Sequence, residues 1–177
     1  MRSSDGTDDV FEHSLDHLIE HEYARIVRAV ALFSGTAEGA EDAVQEALAR
    51  AMENSRRGRP IESLEAWVVT TAFNQRRSHF RRVARRRGKD QEPDREFRTG
   101  SDAEALGSEL LDLRAAVRAL PRRQREVVIL FYYLDQSIES IGRELRIGEG
   151  AVKNALHKAR RTLLVALTVD GQQRSAK

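Results

Sequence analysis

Hydrophobic positions recur every three or four residues along most of this chain, the spacing of one face of an α-helix. Leu15, Leu18, Ile19, Ile26, Val30 and Phe33 form a first stripe that stops at Ser34-Gly35. Ala43, Val44, Ala47, Leu48 and Ala51 form a second. Leu64, Trp67, Val68, Thr71 and Ala72 open a third, which runs on into arginines. Between the second and third lies Asn54-Ser55-Arg56-Arg57-Gly58-Arg59-Pro60, whose composition predicts a loop. No long alternating β-branched run occurs, so strands are not expected.

From about Gly88 to Gly107 the apolar content collapses into a polar, charged segment that reads as a flexible linker. Helical spacing then resumes with Leu110, Leu113, Val117 and Leu120. Pro121 suits the first position of the next helix, which carries Val127, Val128, Leu130 and Phe131. Ser137 can cap a short helix holding Ile138, Ile141 and Leu145. Arg146-Ile147-Gly148 turns into a last helix with Val152, Leu156, Ala159 and Leu163 facing inward. The pattern predicts an all-α protein of two small helical domains joined by that linker. The C-terminal domain is a four-helix unit containing a helix-turn-helix. The expected divisions are 1–14 as a flexible N-terminus, 15–87, 88–107 as linker, 108–169, and 170–177 as a tail.

Composition narrows the function. With 177 residues the chain holds one ordinary domain or two small ones, and it has no Cys, which excludes disulfides and thiolate chemistry. No apolar run approaches a membrane span, and the acidic N-terminus lacks a secretory pattern, so a cytoplasmic protein with no membrane partner is expected. The net charge of +2 conceals a strong asymmetry. Residues 1–66 hold 14 acidic and 7 basic side chains, residues 67–98 hold 4 and 10, and residues 99–177 hold 10 and 13. Such segregation predicts one surface for nucleic acid and another for a protein partner.

Four constellations carry chemistry. In a helix-turn-helix the two helices pack closely, and Gly142 supplies the small residue needed at their crossing. The last helix would then present Glu149, Ala151, Lys153, Asn154, His157 and Lys158 outward. Lys can donate to guanine, Asn can pair with adenine, and Arg160 or Arg161 can reach phosphates. The bland alternative is a solvated helical face. Second, Asn74 to Lys89 carries 8 basic residues and no acidic one, with Phe73, His79 and Phe80 interleaved, a pattern suited to phosphates and unstacked bases. Its alternative is a charged helix end over core phenylalanines. Third, Glu38, Glu41, Asp42, Gln45 and Glu46 crowd one helix start, as a docking face for a basic protein or as ordinary soluble surface. Fourth, His13, His17 and His21 read as a solvated face rather than a metal site. No cofactor, metal or catalytic motif is expected, and no enzyme activity.

Three segments together resemble a known family. Ala40-Glu41-Asp42-Ala43-Val44-Gln45-Glu46-Ala47, then Ala66-Trp67-Val68-Val69 with Asn74 and its following arginines, then Leu120-Pro121-Arg122-Arg123-Gln124-Arg125-Glu126-Val127 through Leu156-His157-Lys158-Ala159-Arg160 look like an extracytoplasmic-function sigma factor of bacterial RNA polymerase. The resemblance covers residues 15–87 and 108–167. It implies that Asp42, Gln45 and Glu46 meet the clamp coiled coil of core RNA polymerase. The loop from Asn54 to Ser63, with Asn54, Arg56, Arg57 and Arg59, would capture a flipped base of the −10 element. Asn74, Arg76, Arg77 and Arg81 would track the melted strand. Glu149, Ala151, Lys153, Asn154, His157, Lys158 and Arg161 would face the −35 element. Core RNA polymerase and promoter DNA are the implied partners, with an anti-sigma factor as the implied inhibitor of a chain that is monomeric when free.

Some residues depart from the family pattern. Arg146 stands where Gly is usual, Gly148 where Ser is usual, and Ala155 where Arg is common, which removes one expected DNA contact. The rival readings are a dimeric helix-turn-helix regulator that needs no polymerase, an RNA-binding or interaction adaptor, and, most remotely, a metal enzyme built on the three histidines.

Overall fold

The computed structural model describes residues 5–86 and 108–175. Helix α1 spans Asp5–His17 and continues through a π-helical turn, Leu18–Glu22, into α2, Tyr23–Ser34. Helix α3 is Ala40–Arg56 and α4 is Leu64–Arg86. After the undescribed segment come α5, Ser108–Ala119, and α6, Arg122–Val128, which passes through a second π-helical turn, Ile129–Tyr133. Helix α7, Ile138–Leu145, and α8, Glu149–Ser175, complete the chain. No strand occurs among the described residues. The expected linker, 88–107, lies outside them.

Two boundaries differ from expectation. Helix begins at Asp5, inside the segment expected to be a flexible N-terminus, and α8 continues to Ser175, past the expected start of a tail at 170. Pro121 stands just before the helix rather than at its first position, with extended ψ of 139°, and α6 starts at Arg122. A proline ring fixes φ in either place, so composition alone cannot separate the two.

The first domain packs α2, α3 and α4 against one another. Ala40, Ala43, Ala47 and Ala51 line the buried face of α3, and their small side chains let α4 approach closely. Phe33 and Phe73 stack at its centre, with ring centroids 4.1 Å apart and planes 20° apart. Such a pair contributes about 0.5–1.5 kcal/mol beyond its area burial. Ser63 Oγ accepts from Ala66 N at 3.3 Å and so caps α4.

In the second domain α5, α6 and α7 all pack on α8. Val127, Ile129, Leu130, Leu134, Ile141, Val152, Leu156 and Ala159 are buried there. Ser137 Oγ accepts from Ser140 N at 3.1 Å, which is the expected cap of α7. The two domains touch. Helix α4 packs against α7 and α2 against α5, and the buried apolar residues of both domains form one continuous cluster.

Candidate functional site

The helix-turn-helix is built from α7, the turn Arg146-Ile147-Gly148, and α8. A Cβ added at Gly142 would lie 3.0 Å from the Ile147 carbonyl oxygen, so a larger residue here would press on the turn backbone. Ile147 N donates to Gly142 O at 2.9 Å and closes the turn. Arg146 takes the left-handed conformation, φ 53° and ψ 49°, that a Gly at that position would adopt freely.

Val152, Ala155, Leu156 and Ala159 hold α8 down, while Glu149, Ala151, Lys153, Asn154, His157, Lys158 and Arg161 are all exposed. Lys153 Nζ lies 3.3 Å from Glu149 Oε2 one turn earlier, a solvated pair that contributes little to stability and can be exchanged for a phosphate or base. Arg160 Nε donates to the Tyr132 hydroxyl, tying α8 to the π-helical turn. Ala155 faces inward, so the departure from Arg there removes no outward cation. The helix instead keeps a small residue against its core.

Asp42, Gln45 and Glu46 are exposed along α3. Gln45 Nε2 donates to the Tyr23 hydroxyl at 3.4 Å, and Tyr23 donates to Glu41 Oε1 at 3.3 Å. Glu46 pairs with Arg50 at 2.9 Å along the helix surface. The acidic face is therefore anchored at Gln45 and Glu41 yet open to a partner.

The loop after α3 is organised by Asn54, whose carbonyl accepts from Arg57 N at 3.1 Å and Arg59 N at 3.0 Å. Arg56, Arg57 and Arg59 project from it into solvent, with Arg57 also 2.6 Å from Glu53.

The basic block on α4 divides. Asn74, Arg81, Arg82 and Arg85 are exposed. Arg76 is buried, donates from Nη2 to Thr36 Oγ1 at 3.3 Å, and lies over the Phe80 ring with Cζ 4.8 Å from its centroid. Burial pulls its pKa down, and the charges of Glu38 and Asp42 oppose that shift. Arg77 is half-buried and donates from Nη2 to Glu126 Oε1 at 2.6 Å. Burial likewise lowers its pKa, chiefly against the attraction of Glu126. Here, then, neither Arg76 nor Arg77 presents its guanidinium to solvent with Arg81.

Glu126 was not singled out from the sequence. It is fully buried and also meets Arg123 at 3.0 Å and Arg122 at 3.8 Å. Its neighbour Arg125 is buried too, donating to Phe33 O at 2.9 Å and Leu120 O at 3.0 Å. Three arginines just before one glutamate, in Arg122-Arg123-Gln124-Arg125-Glu126, were the available signal. His13, His17 and His21 stay exposed, and no group of three metal-binding side chains comes together among the described residues.

Comparison with known proteins agrees with this architecture. The family model for Sigma-70 region 2 matches residues 18–87, and that for Sigma-70 region 4 matches residues 110–163. The chain therefore belongs to the extracytoplasmic-function RNA polymerase sigma factors. The sigma factor EcfG of Rhodopseudomonas palustris is 35% identical over 156 residues, which is 83% of this chain and 82% of that one. SigL of Mycobacterium tuberculosis is 33% identical over 163 residues, covering 88% and 90%. Among solved structures, the sigma factor RpoE of Bartonella quintana, in complex with the anti-sigma factor NepR, matches with a TM-score of 0.67 and 26% identity over 84% of this chain and 92% of that one.

Proposed function

We propose that the chain is a promoter-specificity subunit that binds core RNA polymerase through Asp42, Gln45 and Glu46 and carries no catalysis of its own. Lys153, Asn154, His157, Lys158 and Arg161 read −35 duplex. Asn54, Arg56, Arg57, Arg59, Asn74 and Arg81 hold the melted −10 strand, and Arg77 joins them once released from Glu126. The observation that carries this reading is the recognition helix. Its apolar side is buried in the domain while every amide and cation assigned to base or phosphate contact faces out. A groove-docking helix needs that division.

The chain acts as a monomer in the cytoplasm, where its polymerase is. An anti-sigma factor restrains it, a partner suggested by the company that the Bartonella relative keeps. The test is run-off transcription with purified bacterial core polymerase, with and without the chain, over promoter fragments of its own genome. Specific transcripts are expected only in its presence. Binding to palindromic duplex with no affinity for core polymerase would instead favour a stand-alone regulator.

A further inference from the structure

The three N-terminal histidines are not equivalent in the folded chain. His17 closes α1, and His21 lies in the π-helical turn, Leu18–Glu22, that joins α1 to α2. Their rings meet edge to face, with centroids 4.9 Å apart and planes 68° apart. An i→i+5 turn is wider than an α-turn, so it brings residue i+4 closer to directly above residue i. An evenly wound α-helix would spread all three histidines over about 12 Å, whereas this turn pairs two of them. Both rings stay open to solvent.

We propose that His17 and His21 form a two-histidine site for a late first-row divalent cation, with water in the remaining positions. Imidazole pairs suit Cu2+, Ni2+ and Zn2+, and Cu2+ binds such donors most tightly. Two nitrogens held about 2.0–2.1 Å from one metal lie roughly 3 Å from each other. Rings already 4.9 Å apart reach that spacing by side-chain rotation.

The surrounding charges favour a cation. Glu20 Oε2 lies 3.8 Å from His21 Nε2. A carboxylate beside a ligating imidazole holds its free N–H, leaves the other ring nitrogen for the metal and makes that nitrogen more basic. Asp16 precedes His17, and between Arg2 and Arg25 the chain carries no Lys or Arg. Arg25, the first cation after the turn, is engaged by Glu22 at 2.6 Å and Glu65 at 2.8 Å. Its charge is therefore balanced where it stands.

A bound cation clips the end of α1 to the turn that starts α2. That turn runs directly into Tyr23, whose hydroxyl bonds Glu41 and Gln45 on the acidic face of α3. The site shares no residue with the proposed polymerase or promoter contacts, so it stands or falls independently of the proposed function.

The experiment titrates the full chain, free of any affinity tag, with CuCl2 and follows electron paramagnetic resonance. One Cu2+ per chain is expected at micromolar affinity, with two coordinated imidazole nitrogens in the spectrum. His17→Ala and His21→Ala should each weaken binding by at least about tenfold, the usual cost of losing even an outer partner of a metal ligand. The double variant should lose little more, because chelation already needs both rings. His13→Ala should change neither affinity nor spectrum. All three positions are exposed, so far-ultraviolet circular dichroism should stay the same. ZnCl2 should raise the thermal midpoint of the parent chain and leave that of His17→Ala unmoved. Binding only at millimolar copper, an adventitious ion only, overturns the site. So does undiminished affinity in His17→Ala, an equal zinc-induced shift in that variant, or loss of binding in His13→Ala.

Discussion

Arg76 occupies the space that any side chain at Gly39 would need. Gly39 sits at φ +68° at the start of α3, and a Cβ built on it overlaps Arg76 Nη1, while Arg76 Nη2 bonds Thr36. The buried guanidinium thus props the turn from which Glu38, Glu41 and Asp42 project. Gly39→Ala should cost about 1–2 kcal/mol from the left-handed backbone alone and displace Arg76 as well. Urea denaturation followed by circular dichroism reads this as a lower midpoint with an unchanged slope.

The turn of the helix-turn-helix stores strain of the same kind at a residue that is not glycine. Arg146 is left-handed at φ 53°, and its side chain is exposed. Arg146→Gly should stabilise the protein, by up to about 1 kcal/mol, because relief of the Cβ clash exceeds the added freedom of the unfolded chain. A midpoint that falls would show that the arginine side chain contributes more than its backbone costs.

The proposed core contacts and the proposed −35 contacts lie on different domains, so their loss should be separable. Lys153→Ala removes an outward cation paired with the solvated Glu149. It should weaken −35 duplex binding by about 1–3 kcal/mol, with core affinity unchanged. Glu46→Lys should do the reverse, abolishing core binding while leaving binding of the isolated duplex intact. Fluorescence anisotropy against labelled duplex and against core polymerase measures both, and equal loss of the two affinities in either variant would refute the assignment.

Half-burial raises the pKa of Glu144 above its ordinary 4.5, against the pull of Arg143 and Arg146, and burial does the same to Glu65 against Arg25. A carboxyl whose pKa is raised by folding binds its proton more tightly in the native state. Its contribution to stability is fully present below pH 4.5 and is lost as pH rises through the raised value. Glu144→Gln should flatten that fall and equal or exceed the parent in stability at pH 7. Thermal denaturation from pH 4 to 7 should show the two curves converging toward the acid end.

Much of the helix-turn-helix was legible before any coordinates. The roles of Ser137, Gly142, Val152 and Leu156, and the outward set from Glu149 to Lys158, follow from helical periodicity and local stereochemistry. Each partner there lies within about one or two turns of chain. The inward placement of Ala155 was not legible, because the residue type alone does not say which face of α8 the position occupies. The helical reach of residues 5–14 was missed because an acidic, polar segment has weak apolar periodicity.

Sequence periodicity by itself determined that the chain is helical throughout its described parts, where most helices begin and end, and which side of each is apolar. Those are properties of neighbouring residues and of the 3.6-residue repeat. Only the tertiary structure decided what the charges do. Arg76 meets Thr36 across 40 residues, Arg77 meets Glu126 across 49, and Arg125 meets Phe33 across 92. A run of arginines reads as solvated surface unless a distant carboxylate or carbonyl is folded against it, because the cost of burying a charge depends on a partner that local sequence does not specify.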